Sequence, residues 1–322
     1  MTTVDTTRPA RTGRLAPRGI WWLMWRQQRV VILLWLAAVV AAAVVFPILR
    51  GAMVEYIDSH HIAGCALISL DPACQVEGVQ QSVETFRARY GEILHGVGLL
   101  LLMLPVGVGV FVAGPLLSKE YESGTWRLVL GQSVSRTRWL AAKLVTTGGV
   151  AVAGSLALMG LFRWMWLPSA NFVSGVAWCS STFIVSGGPL LAATVLLALA
   201  IGATVGSLTR RVVPSMAISF GAVIVVQYLL SSMRPYLVPY QTRIVSSSEL
   251  PNDVWAFDHG FVTPDGRHLS YGASDIPDGA REYTDLHTAA DYWPLQGIES
   301  GICLVLVTAL VGFLFWRARH AD

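Results

Sequence analysis

The sequence predicts an all-α integral membrane protein. Three observations carry that reading. The chain is 54% hydrophobic and only 13% charged, with a mean hydropathy of +0.55, whereas a soluble domain carries roughly 25% charged residues. Its apolar residues fall into runs of about 20, the length that crosses a bilayer as a helix. The polar segments between those runs alternate in charge, basic then acidic.

The apolar runs are 30–49, 93–117, 144–166, 182–208, 212–233 and 298–316. Backbone groups in lipid must be satisfied within the segment, so runs of this length favour helices over strands. Residues 1–17 are polar and rich in Thr, Arg and Pro, a composition that reads as a disordered leader. Residues 18–29, RGIWWLMWRQQR, bring Trp21, Trp22 and Trp25 near one helical face between arginines. This predicts an interfacial elbow helix before the first span. The leader is too long and its apolar run too extended for a cleaved signal peptide.

A loop at 51–92 follows the first span. It contains Cys65 and Cys74, nine positions apart and placed to close a small disulfide loop if it faces an oxidising compartment. Its back half has helical spacing at Val76, Val79, Val83 and Phe86. Runs two and four contain Pro105, Pro115 and Pro189 and a Gly202-x-x-x-Gly206 pair, residues that permit kinks and close helix packing. Residues 30–233 thus hold five spans. The segment 234–297 is too long for a bare connector. Pro264-Asp265-Gly266 between Phe261-Val262 and His268-Leu269 predicts a hairpin there, within a small external cap. The last span, 298–316, leads into a basic tail, 317–322.

Lys and Arg near span ends set orientation. Of the 23, 15 lie in the leader, the island at 118–143, Arg210-Arg211 and the tail, while 15 of the 20 acidic residues lie in the alternate segments, 51–92 and 234–297. All basic clusters fall on one side, which predicts both termini in the cytoplasm and a multi-pass protein of the plasma membrane. The net charge of +3 averages these opposed faces, and nothing in the pattern points to nucleic acid.

The chemistry is as informative for what is missing. The chain has no phosphate-binding Gly-x-x-x-x-Gly-Lys-Ser/Thr loop, so nucleotide hydrolysis by that route is excluded. No His, Cys or carboxylate set has metal-ligand spacing. The span centres are almost free of charge, which argues against an ion-coupled carrier. Arg163, Glu299 and His95 lie near span ends, where snorkelling or pairing accounts for them.

The island 118–143, SKEYESGTWRLVLGQSVSRTRWLAAK, carries the functional signal. Glu120 and Glu122 precede Gly124-Thr125, a turn that can open a helix. Trp126 and Leu130 then share one helical face, Arg127 adds a charge, and Gly131 can end the helix. Arg136 follows, and Lys143 enters the third span. Such a helix would lie under the membrane and insert into a groove on a partner.

At these residues the chain resembles the permease subunits of the type-2 ATP-binding-cassette exporter family. Glu120 and Glu122 with Gly124 and Thr125 match the family's Glu-x-x-x-Gly-Thr start, Ser135 and Arg136 its Ser-Arg pair, and Lys143 its closing lysine. Ser133 stands near the usual proline. The elbow helix, six spans and long segment before the last span resemble the family's layout. The resemblance implies an ATPase-coupling element formed by Glu120, Glu122, Gly124, Thr125, Trp126, Arg127, Leu130, Arg136 and Lys143. It implies a separate cytoplasmic ATPase subunit that binds ATP and Mg, a second permease copy or paralogue, contact with membrane lipid in a bacterial plasma membrane, and export of a hydrophobic or amphipathic substrate such as an antibiotic. This chain would hold no cofactor and no metal and would not be an enzyme. A membrane sensor or scaffold, or a secondary carrier, are the alternatives.

Overall fold

A helix composed largely of Leu, Ala, Val and Gly forms the centre around which the other spans pack. In the computed structural model, residues 20–65, 72–125, 135–173, 178, 180–244, 254–272 and 276–320 are described. In chain order the helices are α1 (Ile20–Ser59), α2 (Glu77–Gly107), a wide π turn (Val108–Ala113), α3 (Gly114–Ser123), α4 (Arg136–Trp166), the short α5 (Ala170–Val173) and α6 (Ser181–Ser186), α7 (Leu190–Thr209), α8 (Val212–Met233) and α9 (Tyr292–His320). Among the described residues, six helical stretches are long and apolar enough to cross a membrane.

The central helix is α7. It packs against α9, the π turn, α3, α8, α4 and α2, and nearly every residue along it is buried. Its glycines allow this. A Cβ on Gly202 would stand 2.5 Å from Ala113 Cβ and 2.6 Å from the Gly109 carbonyl, and one on Gly206 would stand 2.6 Å from the Gly114 carbonyl. The Gly202-x-x-x-Gly206 pair is thus a seam against the π turn and α3. The outer faces of α1, α8 and α9 remain rich in exposed Val, Leu, Ile and Phe, as lipid-facing surfaces are.

Three elements differ in extent from the sequence-based expectation. No break separates an elbow helix from the first span: α1 is one continuous helix from Ile20. Residues 20–46 contain no Gly or Pro, so nothing interrupts the hydrogen-bond ladder at Arg29. The leader 1–17 and residues 18 and 19 lie outside the described residues, as do Asp322 and Ala321 of the tail.

The loop at 51–92 is also mostly helix, because α1 runs on to Ser59 and α2 begins at Glu77. The two extensions pack through Met53, Ile57, Phe86 and Tyr90, all buried, with Phe86 4.9 Å from Tyr90 and 5.1 Å from Phe172 between ring centroids. Cys65 and Cys74 are joined by a disulfide that closes the turn between them.

The fourth span is broken. α6 ends at Ser186 and α7 begins at Leu190, with Gly187, Gly188 and Pro189 between. Backbone groups released by such a break must find partners inside the protein. Gln296 of α9 supplies them: its Oε1 accepts from Leu190 N at 3.2 Å, and its Nε2 donates to the Ile184 carbonyl. Arg163 Nη1 and the Tyr292 hydroxyl each donate to the Gly187 carbonyl at 3.1 Å. Gly188 must lack a side chain because the Gln296 amide occupies that space.

Beyond this end of the bundle lies an antiparallel sheet of order β1-β4-β2-β3, with β1 Gln241–Arg243, β2 Trp255–Val262, β3 His268–Ser270 and β4 Arg281–His287. The β2–β3 hairpin turns at the predicted Pro264-Asp265-Gly266. Thr263 N donates to Arg267 O at 3.0 Å, and Gly266 takes φ +82°. Hydrogen bonds from Thr263 and Arg267 hold the exposed Asp265 carboxyl below its usual range. The sheet is tied to the bundle by His287 Nε2, which donates to the Pro235 carbonyl at 2.8 Å.

Candidate functional site

The described parts of the 118–143 island, the end of α3 and the start of α4, lie at the end of the bundle opposite the sheet. Two local signals set its stems. α3 stops because Gly124 adopts φ +69° and its N–H reaches back to the Tyr121 carbonyl at 3.4 Å. This left-handed closure is the usual glycine role at a helix C-terminus. α4 starts because the Ser135 hydroxyl accepts from Arg138 N at 3.3 Å, an N-cap that satisfies one of the free first-turn amides.

The two stems are then joined across the bundle. Lys143 of α4 forms a buried ion pair with Glu120 of α3, side chains 5% and 11% exposed. Lys143 Nζ also donates to the Leu116 carbonyl at 2.9 Å and stands 5.0 Å from the Trp139 ring centre. Glu122 makes the third link: its Oε2 accepts from Val212 N at 2.7 Å. A carboxylate on the first turn of α8 complements that helix's free amides and positive end.

Of the sequence-predicted residues, the structure therefore brings Glu120 and Lys143 together and sets Glu122 on α8. Thr125 is exposed, its hydroxyl 2.9 Å from that of Ser123. Arg136 is the first, half-buried residue of α4. Trp126, Arg127 and Leu130 lie in 126–134, outside the described residues.

Sequence reading overlooks two supports here. Ser118 and Ser215 hydroxyls lie 3.1 Å apart and both donate to the Gly114 carbonyl, joining α3 to α8 beneath the Glu122 link. Arg210, at φ +55°, ends α7 with its guanidinium 5.8 Å from the Tyr121 ring centre. A serine inside an apolar run gives no signal of its partner, and in the sequence Arg210 signals only topology.

A cavity of about 600 Å³ opens beside the ion pair, lined by α1, the π turn, α3 and α4. At the other end of the bundle, Arg234 and Glu299 form a second buried pair. Among the described residues, no cluster of His, Cys, Asp and Glu is arranged to hold a metal.

A family model described as ABC-2 membrane transporter related matches residues 36–234. No curated protein and no solved structure matches the chain.

Proposed function

The chain belongs to the ABC-2 membrane transporter related family, and from that premise we propose that it is the permease subunit of an ATP-driven exporter in a bacterial plasma membrane. The short helix expected at Thr125–Gly131 docks a separate cytoplasmic ATPase subunit, which binds ATP and Mg and performs the hydrolysis. Two permeases, identical or related, enclose the pathway of a hydrophobic or amphipathic substrate. Both chain termini and the loop face the cytoplasm, and the sheet faces outward.

The observation that carries this reading is the triple anchoring of the loop's stems. The Glu120–Lys143 pair ties α3 to α4, Glu122 ties α3 to α8, and α3 lies against the central α7. A push on 126–134 therefore reaches α3, α4, α7 and α8 through one buried ion pair, one exposed side-chain-to-backbone hydrogen bond and direct helix packing. The π turn at Val108–Ala113, flanked by Pro105 and Pro115, gives the α2–α3 span a local change of helical winding, a feature frequent at functional sites.

The test is a pair of substitutions in and beside the loop. Trp126→Ala is expected to weaken association with the ATPase by about 2 kcal/mol, the cost typical of truncating a central aromatic anchor, and to lower ATP-dependent export. Gly124→Val acts similarly by straining the left-handed cap. Membrane insertion stays intact in both. Co-purification in mild detergent and transport assays read the outcome; normal association and export in both variants would remove the coupling reading and favour a sensor or scaffold.

Orientation has its own measurement. In a background without reactive native thiols, a cysteine at Asp275 is expected to react with an impermeant reagent on intact cells. One at Ser135 is expected to react only after the membrane is opened. The reverse pattern would invert the proposed topology.

A further inference from the structure

The cavity beside the ion pair contains polar atoms that ATPase coupling does not use. Its apolar lining is Val31, Phe111, Val112, Pro115 and Leu116. Its polar lining includes Gln28, Glu120, Lys143 and Thr147, with Lys119 exposed. Gln28, Glu120 and Thr147 are 6%, 8% and 2% exposed. Among the described residues, Gln28 Nε2, Glu120 Oε2 and Thr147 Oγ1 have no hydrogen-bond partner.

A buried polar atom left without a partner costs about 1–3 kcal/mol, and such atoms ordinarily come in satisfied pairs. Three of them bordering one space define a complementary ligand. Glu120 Oε2 requires a donor, Gln28 Nε2 requires an acceptor, and the Thr147 hydroxyl takes either. Lys143 is already committed to Glu120 Oε1 and the Leu116 carbonyl, while the exposed Lys119 offers a positive charge. Water would bond the polar side chains but finds no partner among the apolar ones, and those suit hydrocarbon. The cavity also lies where the apolar runs 93–117 and 144–166 end, at the level of lipid head groups.

We propose that this cavity binds the head group of a zwitterionic aminophospholipid. The lipid's ammonium donates to Glu120 Oε2, its phosphate and ester oxygens accept from Gln28 Nε2, Thr147 Oγ1 and Lys119, and the first acyl carbons lie along Phe111, Val112 and Leu116. The inference rests on the protein being membrane-embedded and not on ATPase docking, so the two fail independently.

The experiment uses the purified full chain, stripped of lipid in detergent and titrated with phosphatidylethanolamine or phosphatidylcholine. The two have the same net charge, but only the first has N–H donors. Native mass spectrometry reads lipid retention, and the thermal midpoint reads stabilisation. Phosphatidylethanolamine is expected to bind roughly tenfold more tightly, the effect of one or two hydrogen bonds. Gln28→Leu and Thr147→Val, singly and together, are expected to weaken retention of both lipids several-fold, because they remove donors to the phosphate and ester oxygens that both share, and to leave the preference, which Glu120 Oε2 sets, in place. Their lipid-free midpoints stay unchanged or rise, because each removes an orphaned group and breaks no existing bond. Equal retention of both lipids by the unsubstituted protein would overturn the proposal. So would undiminished retention of both lipids by the double variant, or tighter binding of anionic phosphatidylglycerol, which would point to Lys119 alone.

Discussion

Arg234→Met is expected to destabilise the protein by about 3–5 kcal/mol, the cost of leaving a buried charge without its partner. The stranded group is Glu299. Arg234 Nε donates to its Oε2 at 2.7 Å and Nη2 to its Oε1 at 2.8 Å, with the two side chains 6% and 2% exposed. A two-pronged pair of this kind is held in one geometry. Because Arg234 follows the last residue of α8 and Glu299 lies on α9, the loss also frees the C-terminal end of α8 from α9. The double variant Arg234→Met/Glu299→Leu is expected to recover most of the stability, since replacing a whole buried pair by apolar side chains is often close to neutral. Thermal unfolding of the single and double variants gives the coupling energy. A single-variant loss below about 1 kcal/mol, the range of exposed pairs, would show that solvent reaches the site and that the pair does not hold the helices.

Gly202→Val is expected to cost stability at or above the roughly 1–3 kcal/mol range of overpacked cores. The first atom added meets Ala113 Cβ at 2.5 Å, the Gly109 carbonyl at 2.6 Å and Gly114 N at 2.9 Å. Two of those three atoms are backbone, so no rotamer change makes room. α7 must move away from the π turn and α3, and its other neighbours oppose that because α7 is enclosed on nearly every side. Gly149→Ala is the matched control: a Cβ there meets nothing within 4 Å, and the change is expected to stabilise α4 by up to about 1 kcal/mol through helix propensity. Yield and thermal midpoint in detergent distinguish the two. Equal behaviour at both positions would mean that the central seam is not closely packed.

Much of this architecture is legible in residue order. The apolar runs mark all six spanning stretches, and 212–233 coincides with α8 end to end. Pro264-Asp265-Gly266 marks the hairpin because a left-handed glycine after a proline turn is a local requirement. The island announces itself by charge density, and Gly124 by its place after two glutamates. The extents of α1 and α2 were less legible. Hydropathy ends each run at the first polar residues, but the helices continue where Met53, Ile57, Phe86 and Tyr90 find one another.

The candidate site divides in the same way. Glu120 and Lys143 stand out singly in the sequence, 23 positions apart, yet only the packing of α3 against α4 makes them partners. Glu122 reads as part of a turn until α8 is seen beside it. Gln28 and Thr147 are ordinary polar residues near the ends of apolar runs, and their significance lies in having no partner, which only a folded structure can define. In the sequence, Arg163 and Glu299 are span-end charges. The structure gives Glu299 to Arg234 and uses Arg163 to satisfy the Gly187 carbonyl at the break before α7.

By itself, then, the sequence determined the membrane class, the positions of the spans and the segments in which the basic residues gather. These follow from transfer free energies and backbone rules that act within a stretch of some 20 residues. Tertiary structure alone decided that α7 is the central helix, that its glycines meet the π turn, that Gln296 fills the break before it, and which charges pair. Those outcomes depend on groups up to 112 positions apart in the chain, and no local property of either partner records where the other will lie.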